Sequence, residues 1–334
     1  MSATPALAPK RTRAAAPEQA APGRRARQAE VARRRGRGVA GWSRGSRIFM
    51  WTGLGVGLLF YFGLGIVPGV GTIVVAFTNY SAFPGVSTNF TGFQQFAAAF
   101  TTEGPLFYQS LKDTALFVLG NTVLTTVGGV LLAHRLAGAR KGDGFLRATV
   151  FMPTVLGATV ISLMWLFIFD PSAGPVAALG KHIGFSSGFF GSPTMALPLV
   201  VFVQTWAGIG FGTLIYIGGL RAIPREMFEA GTVDGCGWWR RFWLVTWPLL
   251  APSTTVVVLL TVVGSFTTYN LIYVLTDGQF GTNTLGILAF NSAFSGSANL
   301  GYGSALTVIL FVLTLIVAIP LQYWLRARER RAVD

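Results

Sequence analysis

Residues 195–220 read MALPLVVFVQTWAGIGFGTLIYIGGL, and residues 221–252, directly after them, read RAIPREMFEAGTVDGCGWWRRFWLVTWPLLAP. The first stretch carries no charge over a length that suffices to cross the ~30 Å hydrocarbon core of a bilayer as one helix. The second interrupts that apolar composition with Arg, Glu and Asp before another apolar run begins at Leu249. Pro224 suits a first helical turn, Glu226 follows near the positive helix end, and Gly235 with Gly237 supplies a break before a second short segment. The expectation is two small helices at a membrane surface, between two spans.

The rest of the chain repeats this alternation. Of its 334 residues 52% are hydrophobic and 11% charged, the mean hydropathy is +0.56, and the charges are bunched between apolar blocks. A soluble chain would carry about twice that charge fraction. Six blocks reach spanning length, at about 48–77, 111–133, 145–169, 195–220, 249–275 and 304–325. The fold class is therefore all-α, an integral membrane protein of six transmembrane helices. A membrane domain over 48–326 is flanked by a basic tail, 1–47, and a short tail, 327–334. The 1–47 tail is rich in Ala, Pro, Gly and Arg and is expected to be disordered, because it cannot bury a core. Within the first block Pro68, flanked by Gly65, Gly69 and Gly71, is expected to kink or end the helix.

Lys and Arg set the orientation. Twelve precede Ile48, four lie between Arg135 and Arg147, four between Arg221 and Arg241, and four between Arg326 and Arg331, leaving only Lys112 and Lys181 in the alternate loops. Basic residues mark the cytoplasmic side, so both termini and the 221–248 insert are expected inside. A net charge of +14 resembles a nucleic-acid footprint, but it resides largely in the tail. Topology and attraction to anionic lipid account for it, and no nucleic-acid partner is expected.

Several chemistries are excluded. One cysteine, Cys236, allows no intramolecular disulfide, and two histidines, His134 and His182, are too few and too far apart for a metal-ligand set. No GxxxxGK[ST] is present, so the chain has no P-loop of its own. GFSSG at 184–188 satisfies GxSxG around Ser186, yet it sits in a Gly/Ser-rich loop and not on a strand–turn–helix elbow. No catalytic residue, metal or cofactor is expected. Asp113 and Asp170 stand at span ends, and the span interiors are uncharged, which argues against a buried proton relay. The interiors carry small and neutral-polar residues instead. Gly208, Gly210 and Gly212 suit close helix packing. Gln204, Trp206, Tyr216, Tyr269 and Asn270 are candidates to line a pathway for a neutral, hydroxyl-rich solute.

The 221–248 insert also resembles a known element. Glu229-Ala230-Gly231, three residues, Gly235, nine residues, Val245, one residue, Trp247-Pro248 resembles the EAA loop of permease subunits of bacterial binding-protein-dependent ABC importers. That loop reads Glu-Ala-Ala, three residues, Gly, nine residues, Ile, one residue, Leu-Pro. Gly231, Val245 and Trp247 depart from it, and Gly231 is expected to loosen the first short helix. Asn89-Phe90-Thr91-Gly92-Phe93, the 147–153 stretch RATVFMP, Val233-Asp234-Gly235 with Trp239 and Phe242, and Tyr302-Gly303-Ser304-Ala305 resemble the carbohydrate-uptake branch. Thr276-Asp277-Gly278 resembles that branch's Thr-x-Gly-Gly-Pro except at Gln279-Phe280.

The resemblance implies a sugar permease in the bacterial cytoplasmic membrane. It implies a second homologous permease subunit, two copies of a cytoplasmic ATPase that use the ATP, and an extracytoplasmic sugar-binding protein as partners. ATPase coupling would fall to Glu229, Ala230, Gly231, Asp234, Gly235 and Pro248. The alternatives are a permease for a polyol or glycerol phosphate, and a channel or facilitator that works without partners.

Overall fold

The computed structural model describes residues 44–81, 83, 85, 87–138, 142–184, 187–233, 235–295 and 298–333. The basic tail up to residue 43 and the residues Ser186 and Asp234 lie outside them. The described residues are helical and contain no β-strand beyond an isolated antiparallel bridge between Thr78 and Phe90. The chain divides into two compact units, Met1–Pro68 and Gly69–Asp334.

The first unit is described from α1 (Arg44–Tyr61) and the π-helical Phe62–Ile66 that follows it; α2 (Val67–Val75) begins at its end. No side chain of the Ile48–Val75 stretch is buried across its most apolar window. Pro68 does not end this helix. A proline has no N–H to give and clashes with the carbonyl four residues back. Here the turn before it widens to π geometry over Phe62–Ile66, and the helix then continues.

In the second unit α3 (Gln94–Phe100) is a short helix preceding the second apolar block. The long helix α4 (Gly104–Leu136) runs back to the basic turn, where the Arg147 guanidinium donates to the carbonyl of Leu136, the last residue of the helix (2.7 Å), and Arg135 pairs with Asp143 (2.7 Å). The end carbonyls of α4 are thus satisfied by a cation, as helix C-termini favour.

The third apolar block is not one straight helix. Asp143–Phe151 (α5) tightens into a 3-10 turn at Met152–Val155, Leu156 and Gly157 are extended, and α6 (Ala158–Ile168) leaves at 111°. Pro153 removes a donor in that turn, which favours the break. After α7 (Pro175–His182), α8 (Ala196–Ala222) packs along α4 over most of its length.

The fifth block is also interrupted. Its helix α12 (Ala251–Thr267) meets the preceding helical segment at 69°, and it stops at Thr268, before a separate α13 (Asn270–Thr276). The stretch expected to be a plain loop after residue 276 instead holds an apolar helix, α14 (Leu285–Phe294), with Leu285, Ile287 and Leu288 buried. The last helix, α15 (Leu300–Val333), continues through Pro320 and extends past the expected end at residue 325. Four helices are long and apolar enough to span a membrane, or up to six if each bent pair forms one span.

Three apolar clusters hold the second unit. One joins α4, α12, α14 and α15 around Phe107, Phe266 and Leu306; another joins α4, α6, α8 and α13 around Phe117, Val203 and Ile272. The third centres on Leu136, Tyr216 and Leu250 and includes Ile223 and Phe242, which roots the 221–248 segment in the bundle. In a membrane bundle such a root is held by close side-chain packing.

Candidate functional site

The 221–248 segment folds as two short helical pieces joined by a tight reversal. The first, α9 (Arg225–Val233), starts just after Pro224, whose carbonyl accepts from the Met227 N–H (3.2 Å). Pro224 therefore precedes the helix and is not part of its first turn. Arg225, Glu226 and Glu229 are exposed, and Phe228 packs into the cluster around Leu136. The helix therefore has one face fixed to the bundle and a charged face free for something else.

Gly235 ends α9 in the left-handed region, φ +69°, and the Cys236 N–H reaches back to the Gly231 carbonyl (2.9 Å). This is the six-to-one bond of a Schellman terminus, which glycine makes at no steric cost. Gly231 is buried. A Cβ built there would stand 3.6 Å from the Arg241 side chain and 3.8 Å from Val245, ordinary contact distances. The expectation that Gly231 loosens the helix has no packing basis, because its neighbours already close over it.

The second piece comprises α10 (Trp238–Arg241), a π segment at Phe242–Thr246 and α11 (Trp247–Leu249). The π segment ends two residues before Pro248, as the one in the first unit ends two residues before Pro68. The same cause operates, a missing N–H and a displaced carbonyl. Trp238, Trp239, Phe242, Trp243 and Trp247 form a continuous series of ring contacts with centroids 5.3–6.4 Å apart. Trp238 Nε1 donates to His134 Nε2 on α4 (2.9 Å), and the Arg328 guanidinium of α15 lies 5.2 Å from the Trp247 ring. The rings thus tie the segment to α4 at one side and to α15 at the other. Between them and α4 lies a groove of about 680 Å³, walled by Val127 and Leu131 and edged by Arg135.

A second feature lies between α4, α8 and α12. A hollow of about 330 Å³ is lined by Asn121, Thr125, Gln204, Thr261, Ser265 and Thr268 among apolar residues and glycines, with no ionisable side chain. Asn121 is its hub. Its amide N–H donates to Ser265 Oγ (2.8 Å), and its carbonyl accepts from Thr205 (3.0 Å) and Thr125 (3.3 Å). Three helices are cross-tied at one side chain, while Gln204 stays outside the network. Gly208 has open space where a Cβ would sit. At Gly210 a Cβ would lie 2.5 Å from the Val150 carbonyl, so α8 meets the α5 leg backbone to side.

Of the five expected pathway residues only Gln204 lines this hollow. Tyr216 is fully buried with its ring against Gly129, and Trp206 packs edge-on to Trp165 (5.4 Å). Tyr269 stacks on Phe290 (4.9 Å), and Asn270 turns its side-chain oxygen to the Leu271 N–H (2.8 Å) at the start of α13. Asn121 and Thr125, and Thr261, Ser265 and Thr268, were missed by sequence reasoning. Their spacings of four, four and three residues place each set on one helix face, a signal present in the sequence. His182 is the exposed last residue of α7. Among the described residues no group of three or more His, Cys, Asp or Glu is placed to hold a metal ion.

Residues 125–331, which include the 221–248 segment and most of the hollow's lining but not Asn121, match the family described as the binding-protein-dependent transport system inner membrane component. The chain belongs to that family. The sn-glycerol-3-phosphate transport system permease protein UgpA of Agrobacterium fabrum is 33% identical over 234 residues, covering 69% of this chain and 79% of the relative. The multiple sugar-binding transport system permease protein MsmF of Streptococcus mutans is 30% identical over 251 residues, 73% and 84% of the two chains. Among solved structures, a bacterial ABC transporter involved in import of the acidic polysaccharide alginate superposes with a TM-score of 0.72 at 18% identity, covering 85% of this chain and 96% of that one. The fold is that of an ABC importer permease. The chain is a transport permease subunit.

Proposed function

We propose that this chain is one of two permease subunits of an ATP-driven importer that moves a sugar across the bacterial cytoplasmic membrane. It has six spans, counting each bent pair as one, and both termini and the 221–248 segment face the cytoplasm. Family membership and the one-sided Lys and Arg distribution support this topology. The permease relatives for multiple sugars and for sn-glycerol 3-phosphate support a carbohydrate-like, hydroxylated solute.

The observation that carries the mechanism is α9, with its Glu229 face exposed, its far face seated in the core and its end fixed by left-handed Gly235. Such a helix can be gripped by a separate ATPase and can transmit displacement without bending. Movement of α9 passes through the ring series to α4 and α15. Because α4 lines the uncharged hollow, a rigid rotation there changes which side the hollow opens to. Pro248 contributes by setting the π turn, and Gly231 lies buried beside the Arg241 and Val245 side chains. Ala230 lies within α9, while Asp234 joins the coupling set from the sequence pattern alone. A binding protein would deliver the sugar on the opposite side, and membrane lipid surrounds the spans.

Co-purification tests the reading. The chain should isolate with a homologous permease and two copies of an ATPase, and a sugar with its binding protein should stimulate ATP hydrolysis in the assembled complex. Sugar flux through vesicles holding only this chain, without ATP, would support the channel alternative instead.

A further inference from the structure

The uncharged hollow is not the only cavity on the proposed path. Beyond Thr268, α13 leads to Asp277, and Asp277 lines two further hollows at that end of the bundle. Asp170 shares the first with Tyr273 and Phe280; Asp113 shares the second with Gln109 and Asn283. No Lys, Arg or His lines either one. In the sequence, the segments 78–113, 170–194 and 276–303 contribute Glu103, Asp113, Asp170 and Asp277 against Lys112, Lys181 and His182.

Asp170 is held ionised. The Ser172 hydroxyl (2.5 Å), followed by the Ala173 and Ser172 backbone N–H groups (both 2.8 Å), keeps its carboxyl below the usual carboxylate range. Carboxylates thus edge both of these hollows, and among the described residues the hollow between α4, α8 and α12 has no cation in its lining to receive a negative group.

We infer that the importer carries uncharged carbohydrate and rejects acidic carbohydrate, a reading that rests on the sugar-permease assignment above. Carboxylate, phosphate and sulfonate groups are recognised by Arg or Lys, best through paired N–H bonds. An anion desolvated in a neutral cavity without such a partner is strongly disfavoured. Sugar hydroxyls have the opposite requirement. They need groups that donate and groups that accept, and the hollow offers a Gln204 amide and the Thr261 hydroxyl, with the Ser265 and Thr268 hydroxyl oxygens as further acceptors, since both already donate to backbone carbonyls. The outer carboxylates accept hydroxyl hydrogen bonds as readily as they repel an acid. This charge pattern separates the chain from what the name of its glycerol-phosphate relative implies for that protein.

The test uses the complete importer, with its partner permease, ATPase and binding protein, in proteoliposomes. Probes are size-matched pairs, galactose with galacturonate and digalactose with digalacturonate, plus sn-glycerol 3-phosphate. ATP-dependent uptake of the neutral member should exceed that of the acid by at least about tenfold, the factor for a modest charge repulsion. Equal or faster uptake of an acid overturns the inference and leaves the sugar reading standing. Stimulation by some solute outside the carbohydrates removes the sugar reading, and this inference with it. Gln204→Arg provides the chain-specific arm. It should lower neutral uptake and raise the acid-to-neutral ratio, and an unchanged ratio would show that the hollow does not set charge preference.

Discussion

The hollow and the 221–248 segment lie in the same bundle and are held together by different physics. Around the hollow the ties are polar, with Asn121 bonded to side chains of three helices. Around the segment they are mostly ring contacts, plus one indole-to-imidazole bond and one cation over a ring. A cavity that exchanges solute for water gains from groups that can switch hydrogen-bond partners. A connector gains from rigid side chains with few rotamers, which bury large area at small entropic cost.

The contrast can be broken most decisively at the connector. Glu229→Lys or Gly235→Asp should abolish transport while leaving membrane insertion intact, measured by uptake in vesicles beside a membrane-fraction blot. Gly235→Asp also places a side chain at φ +69°, at about 1–2 kcal/mol. Preserved transport in both would remove the coupling role.

Gly210→Val should destabilise the whole bundle, because even a Cβ overlaps the Val150 carbonyl. Overpacking of this kind costs about 1–3 kcal/mol, to be read as a lowered unfolding temperature in detergent. An unchanged temperature would mean that α5 and α8 separate more easily than their contact implies. Asn121→Ala strands the buried Thr205 hydroxyl, which donates to it, at about 1–3 kcal/mol, and removes the donor to Ser265. It should slow transport as well as lower stability, whereas a connector variant such as Trp247→Phe should leave substrate preference alone.

Two smaller effects sharpen the comparison. Arg328→Ala removes the cation over Trp247, about 0.5–1 kcal/mol at an exposed site, and should raise the ATP hydrolysed per sugar moved. Arg328→Lys should restore that ratio in part. Gly231→Ala should be close to neutral, since its new methyl meets Arg241 and Val245 at contact distance; a large loss of transport would mean that the α9 end opens during the cycle.

Much of the architecture was legible because bilayer-length apolar runs carry their own signature. The positions of α4, α8 and α15 follow from uncharged stretches bounded by basic residues. The breaks were not, because Leu156, Gly157 and Thr268 interrupt the helix without interrupting the apolar composition. Helix α14 was hidden for the same reason: ten apolar residues are too few to span, and nothing in their composition separates a buried helix from a loop. At the site, the glycine punctuation around 235 was readable, since only backbone geometry is at stake. The hollow was read poorly because aromatic residues drew the assignment. Trp206 and Tyr216 have large surfaces that favour packing, and they went into the core, while the small hydroxyls of Thr261 and Ser265 face the cavity.

The π turns before Pro68 and Pro248 have a practical effect on any residue scan. Each inserts one residue beyond the α-helical repeat, which advances the facing direction by about 100°. A helical wheel drawn straight from Trp238 to Leu249 therefore assigns the residues after Thr246 to the wrong wall. Cysteine pairs chosen for cross-linking should be numbered separately on either side of Thr246, with the phase reset there.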